Sequence, residues 1–167
     1  MCLRRRFLVL AGLAVALLPS AWALERPKGK VILTITGKIQ HTNAPGKAEF
    51  DMEMLAALPQ HSFTTTTPWY PQAHKFTGPL MRDVLAAVGA QGSLLVAAAL
   101  NDYKTEVPVS DLQSHEVLMT RLLDDKTMPV RDKGPLFIVY PFHTDEGLRS
   151  ERYYNRCAWQ LKSLDVR

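Results

Sequence analysis

Short stretches of alternating or uniformly apolar residues predict a chain dominated by β-strands. Residues 31–37 (VILTITG) alternate after their first apolar pair and predict a strand, which Ile39 continues beyond a bulge or bend at Gly37. The other predicted strands are residues 94–100, residues 103–107 after an Asn101-Asp102 turn, and residues 117–123, 135–140 and 159–166. Residues 41–47 contain an asparagine, a proline and a glycine and predict a loop.

Helical patterns are few and short. Residues 51–58 predict a helix capped by Asp51, and a proline follows it. Residues 79–88 predict the clearest helix, because a proline suits its first turn, a glycine follows it, and four apolar residues share one face: Leu80, Val84, Leu85 and Val88. Residues 110–114 predict one helical turn capped by Ser110. Together these patterns predict an α+β fold in which mixed β-sheets carry a few short helices.

The first 23 residues have the layout of a secretory signal peptide. Three arginines precede the apolar residues 7–18, and Ala21 and Ala23 form an A-x-A cleavage site. A retained membrane anchor is the alternative, but 12 apolar residues are fewer than the about 20 that span a bilayer. We therefore expect cleavage after Ala23, which places residues 24–167 in the periplasm as one domain. Export uses the Sec or the twin-arginine route, since paired arginines also fit the latter.

Removal of this segment changes the charge and the cysteine content. The formal charge of +4 includes three arginines of the segment and none of its acids, so residues 24–167 carry 17 basic and 16 acidic residues. A net charge of +1 gives no reason to expect nucleic acid as a partner. Cys157 is then the only thiol, so no intrachain disulfide forms. We expect a buried structural thiol; an intermolecular disulfide and a metal ligand are the alternatives.

Common catalytic motifs are missing from the sequence. The five histidines never fall at H-x-x-H or H-E-x-x-H spacing, which argues against a zinc site. There is no glycine-rich phosphate loop and no G-x-S-x-G nucleophile motif. The methionines suggest either capture of a soft metal or the filling of gaps in the core, and the second interpretation is favoured.

Four spaced blocks of sequence carry a family resemblance. They are FTGPLMRDVLAAVGAQG, LNDYKTEVPVSDL, VLMTRLLDDKTMPVRDKGPLFIVYPF and the closing WQLKSLDV. In order and spacing they resemble the oxidoreductase molybdopterin-binding domain of the sulfite oxidase family, over residues 31–166. The resemblance implies an α+β fold built from mixed sheets, with the pterin held in a groove lined by loops.

The chain departs from the family at the positions that hold the cofactor. Catalytic members carry a molybdenum-binding cysteine shortly before the helix entry, where this chain has Thr64, Thr65, Thr66 and Thr67. A hydroxyl is a far weaker ligand for such a soft centre than a thiolate. The basic residue that follows G-x-P in the family is replaced by Leu136 and Phe137, and its Lys-Trp pair by Trp159-Gln160. These departures predict a former catalytic segment without its metal ligand, so no cofactor is expected.

Three groups of residues are candidates for binding a ligand in the groove that the resemblance implies. The first is Thr64, Thr65, Thr66, Thr67 and Trp69; the second is Asn101, Asp102 and Tyr103, where the family has a D-G-Y turn; the third is Arg131, Lys133 and Gly134. The basic residues suit a carboxylate, sulfate or phosphate. Each group also has a structural interpretation, as strand formers, turn residues and solvated charges.

Two functional hypotheses follow. The first is a periplasmic binding or interaction module that keeps the sulfite oxidase-like fold, lacks the molybdenum chemistry, and binds a small anionic ligand or a membrane-bound sensor or redox partner. The second is a molybdopterin-dependent oxidoreductase with an unusual ligand set, loaded with its cofactor before twin-arginine export. The missing cysteine favours the first.

Overall fold

The computed structural model describes residues 24–167, so the predicted signal peptide lies outside the described residues. These residues form eleven strands: β1 (Leu33–Gly37), β2 (Ala48–Phe50), β3 (Gln60–Thr67), β4 (Tyr70–Pro79), β5 (Leu94–Ala99), β6 (Lys104–Pro108), β7 (Leu118–Thr120), β8 (Leu122–Leu123), β9 (Lys126–Thr127), β10 (Phe137–Val139) and β11 (Leu161–Val166). The α-helices are α1 (Met52–Ala57), α2 (Met81–Ala87), α3 (Val109–Ser114) and α4 (Glu151–Tyr154). Two 3-10 turns cover Val130–Asp132 and Glu146–Leu148.

The strands form one mixed sheet and two antiparallel sheets. The mixed sheet has the order β2-β1-β11-β5-β6, and in it only β1 and β11 run parallel. A four-stranded antiparallel sheet has the order β3-β4-β8-β9, and β7 pairs with β10 in a small third sheet. Mixed and antiparallel sheets with four short helices confirm the α+β class.

The buried core joins the sheets and the helices. Leu33 and Ile35 of β1 are fully buried, and all three residues of β10 are buried because this strand lies inside the domain. Gly37 ends β1 in a left-handed conformation with φ of +88°, where a Cβ atom would collide with the carbonyl oxygen of Val166. The prediction that Ile39 continues the strand is therefore wrong; Ile39 lies beyond it and packs against the core.

The cap of α1 is confirmed in atomic detail. The Asp51 carboxylate accepts a hydrogen bond from the backbone N–H of Met54 at 2.9 Å. It also accepts bonds from the N–H groups of Lys28 and Gly29 at 2.8 and 2.7 Å. These donors, with that of Gly29 first, hold the pKa of Asp51 below its usual value. The Asp51 carboxylate thus caps the helix and also holds Lys28 and Gly29 beside its first turn.

Two predicted helix starts are wrong. Pro79 does not open α2; it is the last residue of β4, and the helix begins at Met81. Ser110 does not cap α3, which begins at Val109 without any side-chain cap. In both cases the preceding strand extends to a proline, and the helix starts after the pairing of that strand ends.

Two predicted strands are divided in the structure. Residues 117–123 form β7 and β8, because Arg121 between them donates its backbone N–H to Thr77 of the other sheet at 2.9 Å. Trp159 makes only an isolated bridge with Phe137, and Gln160, with φ of +52°, separates it from β11. Within residues 24–167, no helix is both long enough and apolar enough to cross a membrane.

Candidate functional site

A pocket of about 230 Å³ lies where three connecting segments meet. The first segment is the Pro68-Trp69 turn between β3 and β4, the second joins β5 to β6, and the third leads from α4 to β11. The lining residues are Trp69, Asn101, Tyr103, Tyr154, Asn155, Cys157 and Trp159. Each segment is flanked by strands or by helix α4, so a rigid scaffold positions the side chains of the pocket.

Trp69 is the centre of an aromatic cluster at this pocket. Its ring lies edge-to-face with Phe137 at 5.4 Å, Trp159 at 5.6 Å and Tyr154 at 6.0 Å between ring centroids. Such pairs contribute about 0.5–1.5 kcal/mol each beyond their buried area. The tryptophans are only half-buried and therefore offer apolar surface to a ligand.

A hydrogen bond fixes a second wall of the pocket, which is formed by Asn101, Tyr103 and Asn155. The Tyr103 hydroxyl donates to the backbone carbonyl of Asn155 at 2.8 Å, which ties the β5–β6 connection to the residue after α4. The Asn101 side-chain oxygen accepts the backbone N–H of Tyr103 at 3.2 Å, leaving its amide N–H₂ without a hydrogen bond in the described part of the chain. Tyr103 as a whole residue is 43 % exposed. This wall therefore combines an aromatic surface with an amide donor.

Cys157 lies in the same pocket as Trp69 although the two are far apart in sequence. Its thiol is 2 % exposed and donates to the backbone carbonyl of Tyr153 at 3.4 Å. Burial raises the pKa of Cys157 to about 12. The group is therefore a neutral thiol at physiological pH, as expected for a structural cysteine.

Lys133 brings a positive charge to the aromatic cluster. Its ammonium nitrogen is 4.7 Å from the ring centroid of Tyr70 and 5.8 Å from that of Trp159. Both distances lie within the range of cation–π attraction. Burial raises the pKa of Tyr70, and the nearby carboxylates of Asp132 and Asp124 add to the effect.

The four threonines of β3 do not line the pocket. Thr64 and Thr66 are exposed on the outer face of the sheet, while Thr65 and Thr67 point inward and are buried. The Thr65 hydroxyl donates to the carbonyl of Thr66 at 3.3 Å, and the Thr67 hydroxyl has no partner in the described chain. Of this first group only Trp69, two residues beyond Thr67, reaches the pocket.

The other predicted residues are divided between the pocket and the surface. Asp102 forms a 2.9 Å ion pair with Lys162 on the surface. Arg131 has a side chain that is 87 % exposed and pairs with the adjacent Asp132 at 3.5 Å. Gly134 is buried in a cis bond to Pro135, where a Cβ atom would collide with the carbonyl of Met128. The structure thus brings Trp69, Asn101 and Tyr103 together in the pocket, places Lys133 beside it over the rings of Tyr70 and Trp159, and leaves the others outside.

The wall formed by Tyr154 and Asn155 was not predicted. It is held in place by the buried carboxylate of Asp111 on α3, which accepts hydrogen bonds from the hydroxyl of Tyr140, the residue after β10, at 2.7 Å and from the guanidinium of Arg156. Burial, and then the bond to Asp111, raise the pKa of Tyr140 far above its usual value. The run RYYNRCAW in the sequence, rich in aromatic residues beside the lone cysteine, was the only signal for this wall.

No metal site accompanies the pocket in the described part of the chain. Among residues 24–167, no three histidine, cysteine, aspartate or glutamate side chains are grouped closely enough to hold an ion. No family model matches the sequence, and no curated protein is significantly similar to it.

Proposed function

We propose that this chain is a periplasmic binding module that has the sulfite oxidase-like molybdopterin-binding fold but no molybdenum chemistry, and that its aromatic pocket binds a small planar organic anion. The observation that carries the proposal is the convergence of Trp69 and Trp159 on one pocket, with the Lys133 ammonium over the Trp159 ring. The export of the protein, through a cleaved signal peptide, rests on the sequence of residues 1–23.

The pocket chemistry supports this class of ligand. Flat apolar walls favour a ring over a compact ion such as sulfate, and Lys133 favours a carboxylate or a phosphate on that ring. The amide of Asn101 adds a neutral donor. A volume of about 230 Å³ is below that of pockets for drug-sized molecules, so the ligand is small.

The residues do not fit a molybdenum–thiolate centre. Cys157 is the one thiol of the described chain, and with a pKa of about 12 it stays protonated. The hydroxyls of Thr64–Thr67 are poor ligands for a soft metal, and two of these side chains face outward. This chemistry supports a module without redox activity.

Intrinsic fluorescence tests the proposal directly. The chain has three tryptophans, and the two within residues 24–167, Trp69 and Trp159, both line the pocket. We expect benzoate to change the emission of the exported protein saturably, and the uncharged analogue benzyl alcohol to bind more weakly. Lys133→Gln should weaken benzoate binding about tenfold, whereas Lys126→Gln on the exposed strand β9 serves as the matched control. Absence of a saturable response to benzoate and to phenyl phosphate in folded protein would overturn the proposal.

One observation supports the oxidoreductase as a second candidate: Cys157 lies in the pocket beside Trp69. Molybdenum and pterin analysis of protein purified from its native compartment separates the two functions. The binding module predicts substoichiometric molybdenum and no effect of Cys157→Ser beyond a mild loss of packing. Stoichiometric molybdenum that disappears in Cys157→Ser would establish the oxidoreductase instead.

A further inference from the structure

The outer edge of β3 differs from every other sheet edge in residues 24–167. Natural edge strands are protected from pairing by short length, by charged residues or proline, or by cover from other segments. Strand β3 is eight residues long, QHSFTTTT, and contains no lysine, arginine, aspartate, glutamate or proline. An edge of this kind is a template for another strand.

The remaining edges all carry a protecting feature. Strands β2 and β9 have three and two residues, and β6 contains Lys104, Glu106 and Pro108. The small sheet is buried, and bridges from Leu80 and Trp159 cover its two strands. Among the edge strands of residues 24–167, only β3 lacks such protection.

The backbone of β3 has hydrogen-bonding groups to spare. Its position in the order β3-β4-β8-β9 leaves one side without a strand. Among the described residues, no backbone hydrogen bond outside the ladder to β4 involves Gln60–Thr67, and only the Thr66 carbonyl accepts a side chain, the Thr65 hydroxyl. The irregularity near Thr65 and Thr67 leaves the pairing of Gln60–Thr65 regular. A regular row of open N–H and C=O groups therefore faces outward.

We propose that β3 pairs antiparallel with β3 of a second copy of this chain, joining two four-stranded sheets into one continuous sheet. In such a two-fold pair, opposite residues project from the same face. The outer face carries Gln60, Ser62, Thr64 and Thr66, all exposed. Registers that oppose Ser62, Thr64 and Thr66 bring neutral hydroxyl groups together, which form favourable cross-strand pairs without charge repulsion. The Gln60 amide is already bonded to the Leu55 and Leu58 carbonyls and to Arg121 and takes no part in these pairs.

The overall charge also allows self-association. Residues 24–167 carry 17 basic and 16 acidic residues, so two copies repel each other little. The edge of one strand buries less area than a standard interface. The dimer is consequently weak, with a dissociation constant in the micromolar range, and depends on concentration.

Sedimentation equilibrium of protein expressed from the full sequence tests the pairing, from low micromolar to several hundred micromolar. The wild type is expected to dimerise within this range. Thr64→Lys places like charges on the two strands and should raise the dissociation constant about tenfold. Thr127→Lys is the matched control, because Thr127 is an exposed threonine on β9, at the opposite edge of the same sheet; it should leave dimerisation unchanged.

A charge exchange separates an interface effect from a folding defect. Thr64→Glu alone should also weaken the dimer, whereas an equimolar mixture of Thr64→Glu and Thr64→Lys proteins should associate as strongly as the wild type or more so. A wild type that stays monomeric throughout overturns the proposal. It is also overturned if Thr64→Lys dimerises normally, if Thr127→Lys weakens the dimer equally, or if the mixture fails to associate.

Discussion

Replacing Arg156 with methionine should destabilise the domain strongly, because it leaves a buried carboxylate without its cation. The Arg156 side chain is 14 % exposed and that of Asp111 10 %, and the two are in direct contact. Methionine fills a similar apolar volume without a charge. Asp111 keeps only the Tyr140 hydroxyl as a donor from this group.

The expected magnitude follows from the burial of both groups. Removing one partner of a buried ion pair costs about 3–5 kcal/mol, and the remaining bond from Tyr140 favours the lower end, about 3 kcal/mol. For a domain of this size, that corresponds to a fall in melting temperature of about 6–12 °C. The wall formed by Tyr154 and Asn155 should loosen as well, which would shift the emission of the pocket tryptophans to longer wavelength.

Urea unfolding followed by far-UV circular dichroism measures the free energy without relying on the pocket tryptophans. Arg152→Met is the matched control, since Arg152 lies on the neighbouring helix α4, is exposed, and has its guanidinium 5.5 Å from the ring centroid of Tyr153. Its loss should cost less than about 1 kcal/mol. If the two variants differ by less than about 1 kcal/mol, the buried pair does not hold this segment.

Three further predictions address the cap, the pocket and the amino terminus. Asp51→Asn should lower stability at pH 7, and the deficit should shrink as the solution is acidified. The depressed pKa of Asp51 gives stability that is fully present above the unfolded-state pKa, about 3.9, and is lost as the pH falls through the folded-state value. A deficit that is independent of pH in urea unfolding would contradict this. Trp159→Ala should lower the free energy of unfolding by about 2 kcal/mol, which is less than the about 3–5 kcal/mol lost with a fully buried tryptophan. The reason is that Trp159 is only half-buried against Trp69 and Phe137. A melting temperature within a degree of the wild type would show that these contacts contribute nothing. Mass spectrometry of exported protein should give Leu24 as the first residue, and an intact segment of residues 1–23 in the membrane fraction would refute the predicted cleavage.

Local pattern was sufficient for the elements that depend on local interactions. The alternation of β1, the apolar run of β5 and the carboxylate cap of α1 each appear in consecutive residues, and the structure contains all three. Strand β4, YPQAHKFTGP, has neither alternation nor an apolar run. It forms because β3 and β8 pair with it on its two sides, and Pro71, Gln72 and Ala73 are accommodated where the pairing is irregular. The ten residues of β4 do not themselves indicate that β3 and β8 will pair with them.

The candidate site shows the same division. The family resemblance indicated Trp69, Asn101 and Tyr103, which meet in one pocket. The resemblance indicated both Arg131 and Lys133 as ligand-binding residues and did not show that only Lys133 contacts the aromatic cluster. The 3-10 turn leaves Arg131 in solvent, and Lys133, in a left-handed conformation with φ of +71°, turns back onto Tyr70. The direction of the Lys133 side chain depends on the φ angle of this one residue, and the amino-acid composition does not indicate that angle.

The parallel pairing of β1 with β11 constrains how the chain folds. The Thr36 hydroxyl donates to the Asp165 carboxylate at 3.1 Å across 129 residues of sequence. Because β11 lies between β1 and β5, the central sheet has a gap until β11 itself has been synthesised. Such distant contacts slow folding. A growing chain that has not yet reached β11 therefore holds β2-β1 and β5-β6 only as separate strand pairs, and the mixed sheet is completed in one late step.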